Sequence, residues 1–172
     1  MNQNVIDNET QEKLDAFIKQ EEGDSNDYKG LLAKFITLVA VGMSLFHLYA
    51  AYSIVPTQQL RVIHVALVLF LVFLSFPIAA RFKNRLMIWD VLFALGSVAI
   101  AYYILGGGDD FMDRNTAPNS TDVIIGIGLI LLILESVRRT NGMVLVTVTV
   151  LFLLYALFGN YLPAPWTHKG YG

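Results

Sequence analysis

Five stretches of this chain are apolar over lengths suited to crossing a bilayer, and no other feature restricts its fold as much. A spanning helix needs about 20 residues to cover about 30 Å of hydrocarbon. Four segments meet or approach that length alone: FITLVAVGMSLFHLYAAYSI (35–54), VIHVALVLFLVFLSFPIAA (62–80), LMIWDVLFALGSVAIAYYILGG (86–107) and MVLVTVTVLFLLYALFGNYL (143–162). The remaining one, fourth in chain order, begins at Asp122 and holds only 12 uninterrupted apolar residues, 123–134. It spans if Asp122 sits at one interface and residues 135–139 reach the other, as long arginine side chains do by snorkelling. Otherwise it is re-entrant or buried. Polar and turn residues on both flanks favour spanning.

The charges agree with this division. Charged residues are 15% of the chain, against about 25% in soluble domains. Eleven of the 26 formal charges (12 basic plus 14 acidic) lie in residues 1–29, so the rest of the chain is poorer still. A membrane interior admits only helices and closed barrels, and the single β-branched run VLVTVTV cannot close a barrel. The expected fold is therefore an all-α membrane bundle. Residues 1–29 form a polar tail, in which Leu14, Phe17 and Ile18 have the spacing of a short amphipathic helix. Residues 30–140 supply four helices, and residues 141–172 supply a fifth. The N-terminus starts acidic, with no apolar run before residue 31, and is not expected to be a signal peptide.

Orientation follows from Lys and Arg in the short connections. Lys29, Lys34, Arg81, Lys83, Arg85, Arg138 and Arg139 fall on one side if the chain alternates, against Arg61, Arg114 and Lys169 on the other. Seven against three places the N-terminus in the cytoplasm and, after five crossings, the C-terminus outside. Residues 108–121, with Asp109, Asp110 and Asp113, then form a solvated outer loop. Tyr49, Tyr52, Tyr102, Tyr103 and Tyr161 cluster at outer helix ends, and Trp89 lies near the inner end of segment three, as aromatic belts require.

Candidate chemistry centres on LILLILESVRRTNG (129–142). Glu135 lies three and four residues before Arg138 and Arg139, so all three share a helix face. Asp90, by topology, lies at a similar depth. One reading is an ionic cluster that ties segment three to segment four or to a partner helix. The other is a set of separate interfacial charges, with Asp90 favoured by a helix N-terminus. Glu135 follows an unbroken apolar run and is the carboxylate expected to lie deepest. Gly142 is expected to take the left-handed conformation after the helix end. His47 and His64 are better explained by a hydrogen bond than by a metal, because no carboxylate or cysteine accompanies them. Gly126 and Gly128 are expected to permit close helix packing, and Pro77 to kink segment two. The three outer aspartates lack calcium-loop spacing. There is no cysteine and no basic patch, so neither a disulfide nor nucleic acid is expected. No catalytic residue, cofactor or metal is assigned. The structural or interface candidates are Asp90, Glu135, Arg138, Arg139, Trp89 and Asp122.

An ordered set of motifs carries a resemblance: SLFHLYAAY (44–52), RVIHVAL (61–67), IWDVLFAL (88–95), Asp122, Gly126, LLILESVRRTNG (131–142), YALFGNYLP (155–163) and THKG (167–170). Together they resemble the small-subunit (Q-type) region of tripartite ATP-independent periplasmic (TRAP) transporters of the TAXI subfamily. In that group the region is commonly fused to the large permease as a 4TM/12TM protein. The resemblance implies a multi-pass scaffold in the bacterial inner membrane, partnered by a large (M-type) permease subunit or fused domain and by a periplasmic substrate-binding protein. The transported solute would be small, often an organic acid. The small subunit of that family looks like a fixed scaffold, so no substrate-contacting residue carries over. The fifth segment resembles the linking helix of fused members. The alternatives are a stand-alone membrane enzyme using Asp90 and Glu135 as acid and base, or an assembly or regulatory protein outside transport.

Overall fold

The computed structural model describes residues 25–169 together with Thr10, Gln11, Lys13 and Leu14, which are helical. Phe17 and Ile18 of the expected amphipathic helix lie outside the described residues. Six α-helices follow: α1 (Leu31–Tyr52), α2 (Thr57–Ser75), α3 (Ile88–Gly106), α4 (Gly108–Asp113), α5 (Ser120–Asn141) and α6 (Met143–Phe158). No strand occurs among the described residues. Five helices, α1, α2, α3, α5 and α6 with its terminal 3-10 turn, are long and apolar enough to cross a membrane. The chain is accordingly an all-helical, multi-pass membrane protein.

Several boundaries differ from the sequence reading, each for a local reason. Helix α2 starts at Thr57, because the polar residues 57–61 include good helix formers that directly follow Pro56. It ends at Ser75 and is not kinked by Pro77. Proline disfavours helical geometry in the residue before it, and Phe76 is extended (φ −114°, ψ 124°). Segment four is a continuous helix of 22 residues that includes Glu135, Arg138 and Arg139. The expected outer loop contains the short helix α4, whose first turn carries Asp109 and Asp110 where the helix dipole favours anions. Gly142 has φ 75° but ψ −170°, a region open essentially to glycine alone and distinct from the expected left-handed helical one. In α6, Thr147 and Thr149 donate to the carbonyls of Met143 and Leu145 (2.9 and 2.8 Å), so the β-branched run is accommodated as helix.

The core lies among α2, α3 and α5. Leu69, Phe73, Leu74 and Ala94 are buried, with Val65, Phe93, Leu129 and Leu132 packed against them. Between α2 and α3 the contact is made close by small residues, Ala66, Ala94, Ser97 and Ala101, which is how helices associate where lipid removes the hydrophobic drive. Gly128 allows Ile100 to approach within 3.7 Å of where a Cβ would stand, whereas a Cβ at Gly126 meets nothing within 4 Å, so Gly126 is not a packing glycine within this chain. Among the described residues, helix α1 packs only on α2. Apart from its terminal turn, α6 packs only on α5, and neither α1 nor α6 has a buried residue.

Candidate functional site

Pro77 creates the local problem that the site solves. Ending α2 at Ser75 leaves carbonyl groups without helical partners, and backbone beyond the helix must find donors elsewhere. Three non-local donors meet this need. The Asn26 amide donates to Ser75 O (2.7 Å). Arg139 Nη1 donates to Phe76 O (3.0 Å), and Arg138 Nη2 donates to Ile78 O (2.8 Å). The end of α2 is thus closed by the segment preceding α1 and by the last turn of α5.

Both arginines are also tied to carboxylates. Arg138 grips Glu135 with two bonds, Nε to Oε2 (2.7 Å) and Nη2 to Oε1 (2.8 Å). Arg139 Nε donates to the same Oε1 (2.8 Å), while its Nη1 reaches Asp90 Oδ1 on α3 (2.6 Å). The paired fork geometry makes these strong charge-assisted contacts. Asp90 Oδ2 accepts the Met87 amide (3.0 Å), one of the orphan donors at the start of α3. The Arg139 guanidinium carbon lies 5.0 Å from the Phe73 ring centroid and 5.5 Å from that of Phe93. Its Nη2 is buried with no oxygen partner, so the two ring faces supply the remaining negative potential.

The structure therefore brings together Asp90, Glu135, Arg138 and Arg139, in one cluster that links α3 to α5 within the chain. Enclosure within the chain separates the two carboxylates. Glu135 keeps 22% of its side-chain exposure, whereas Asp90 and Arg139 have 1% and 0%, so the most enclosed pair is Asp90–Arg139. Asp90 sits only three residues into α3, and it is packing against α2 and α5 that buries it. Trp89 is exposed beside it and takes no part in the cluster.

A strap that sequence periodicity does not signal completes this end. The amides of Asp27 and Asn84 donate to the side-chain oxygens of Asn84 and Asn26, both at 2.6 Å. Asn84 has φ 59°, a left-handed conformation that asparagine tolerates. The strap holds Tyr28 near Asp90, and burial first, then the Asp90 charge, pushes the Tyr28 phenol above its ordinary pKa.

Asp122 lies at the opposite end of the bundle. It accepts from Arg114 Nε (3.1 Å) and from Tyr103 Oη (2.8 Å), and it forms a reciprocal cap with Asn119 at the start of α5. The Asp122 bond holds the Arg114 guanidinium charged beyond its ordinary range. On the same side, His64 Nδ1 lies 2.9 Å from His47 Nε2, and His47 Nδ1 lies 2.7 Å from Met43 O. Since a carbonyl only accepts, His47 carries its proton on Nδ1, and His64 donates to His47. Near the C-terminus, Tyr155 Oη donates to Trp166 O (3.0 Å), and the His168 ring stacks edge-on at 4.7 Å from the Tyr155 ring. Nothing in the spacing of these residues announced this fold-back. Among the described residues no group of three or more His, Cys, Asp or Glu could hold a metal ion.

No family model matches the chain, and neither a curated protein nor a solved structure is significantly similar to it.

Proposed function

We propose that the chain is a non-catalytic membrane scaffold, the small-subunit part of a TAXI-type TRAP permease in a bacterial inner membrane. Its N-terminus and the Asp90–Arg139 cluster face the cytoplasm. The observation that carries the reading is the internal closure of that cluster. Both carboxylates are held by arginines, and the arginines also hold the backbone at the end of α2. Such an arrangement sets the relative positions of three helices and leaves neither Asp90 nor Glu135 free as an acid or base, which favours a scaffold over the enzyme alternative. The ordered motifs supply the family, and the one-sided contact of α6 with α5 fits a helix leading towards a large permease domain. The scaffold would anchor the large permease that carries the solute, which a periplasmic binding protein delivers.

The test is expression of the tagged full chain with the large permease of its own operon. Co-purification of the two in detergent is expected. Recovery of the chain only as a monodisperse, partner-free species overturns the reading.

A further inference from the structure

The half of the bundle remote from the charge cluster contains a cavity of about 160 Å³ between α2, α3 and α5. Its walls are aliphatic, with Val65, Leu69, Ala101 and Leu129 among them. Two polar side chains line it. The buried Ser97 hydroxyl is already committed to the carbonyls of Ala94 (2.7 Å) and Ala66 (3.3 Å). The other is Arg61, exposed and the single charged residue of the lining, which has no ion-pair or hydrogen-bond partner among the described residues.

These features select an occupant. Water needs two to four polar partners to occupy a cavity, and with Ser97 committed these walls do not provide them. A helix, about 10 Å across with its side chains, is too wide. An aliphatic cavity of about 150 Å³ admits benzene, so this one takes a stretch of hydrocarbon chain. Arg61 stands four residues after Thr57, about 6 Å along the helix, at a depth from which its guanidinium reaches the headgroup layer. The occupant is therefore apolar between the helices and anionic at Arg61, and the planar guanidinium matches a phosphate.

We propose that the α2–α3–α5 cleft binds a membrane phospholipid, one acyl chain lying between the helices and the phosphate on Arg61. The lipid completes the packing of α5 against α2 and α3 in the half that the charge cluster does not reach. This assignment is independent of the transporter reading.

Native mass spectrometry of the delipidated full chain tests it, with dioleoyl phosphatidylglycerol, dioleoylglycerol and inorganic phosphate as separate probes. One phosphatidylglycerol per chain is expected to be retained. Dioleoylglycerol and Arg61→Gln are each expected to weaken retention about fivefold, the weight of one arginine–headgroup contact. Arg85→Gln, at the other end of the bundle, leaves retention unchanged. Ala101→Leu fills the cleft and abolishes retention with Arg61 intact. Equal retention of dioleoylglycerol, inorganic phosphate binding as tightly as the lipid, or indifference to Arg61→Gln or Ala101→Leu overturns the site. A second measurement does not rely on a filled core. The chain has no cysteine, so Val65→Cys carrying a photoreactive maleimide reports what fills the cleft in native membranes. A phospholipid adduct is expected, and an adduct only to polypeptide overturns the proposal.

Discussion

Arg139 meets Asp90 across 49 positions of sequence, and the 2.6 Å contact between them is sealed, with the two side chains 0% and 1% exposed. A buried pair of this kind is costly to assemble and costlier to break, because removing one partner strands the other charge. The same guanidinium also holds Phe76 O, so its loss leaves a part-buried carbonyl without that donor.

Arg139→Met is therefore expected to destabilise the chain by about 3–5 kcal/mol. Adding Asp90→Leu should recover part of the loss, because no lone carboxylate remains. Unfolding by SDS in mixed micelles, run as a double-mutant cycle, measures both. Additive single effects would show that the two residues are not coupled.

Glu135 and Arg138 are more exposed than the Asp90–Arg139 pair, and Arg138 also holds Ile78 O across 60 positions. If the proposed scaffold role holds, Glu135→Ala or Arg138→Ala should lower thermal stability, or assembly with a large permease, more than it alters apparent substrate affinity. Size-exclusion profiles and transport in proteoliposomes separate these readouts. Normal assembly with an altered coupling ion would count against a scaffold role.

The α5–α6 hairpin turns on the backbone of Gly142. Gly142→Ala should cost about 1–3 kcal/mol although its Cβ meets nothing within 4 Å, because the conformation itself excludes side chains. Gly126→Ala, equally unobstructed but helical, should be neutral or stabilising by up to about 1 kcal/mol. Thermal unfolding of the two variants in detergent distinguishes strain from crowding.

Tyr28 gives a pH dependence of defined sign. Its pKa in the folded chain is raised, so the neutral phenol is the form that folding favours. That contribution is complete below the unfolded value of about 10 and is lost as pH rises through the higher folded value. Above about pH 10, the wild type should lose melting temperature faster than Tyr28→Phe. Parallel curves would place the phenol outside the strap's energetics.

The His47–His64 bond joins α1 to α2, and α1 has no buried residue of its own. His64→Phe should cost about 0.6 kcal/mol, the average for interhelical hydrogen bonds in membranes. The same cycle format with His47→Phe isolates the pair.

What the sequence disclosed follows the range of each interaction. Runs of about 20 apolar residues announce helices because the bilayer fixes their length. Glu135, Arg138 and Arg139 announce a shared face because helical spacing is local. The partnership of Asp90 with Arg139 is partly legible, since alternation puts both at one end, but their enclosure within the bundle is not. Enclosure depends on how Phe73 and Phe93 close over Arg139, and no periodicity encodes that. The Asn26–Asn84 strap and the His168 fold-back arise in segments without periodic pattern. Pro77 was legible as a perturbation, but its outcome as a stop depended on arginines more than 60 residues away that satisfy the carbonyls it frees.

The separation between Asp90 and Arg139 also sets an order of events during synthesis. Helix α3 enters the membrane carrying its aspartate before α5 exists. At about 5–20 residues per second, the 49 intervening residues take about 2–10 s to make. During that interval Asp90 lacks its arginine partner and keeps the Met87 amide of its own helix end. Enclosure of Asp90 thus waits on synthesis of the fourth spanning helix, and the first three cannot complete it alone.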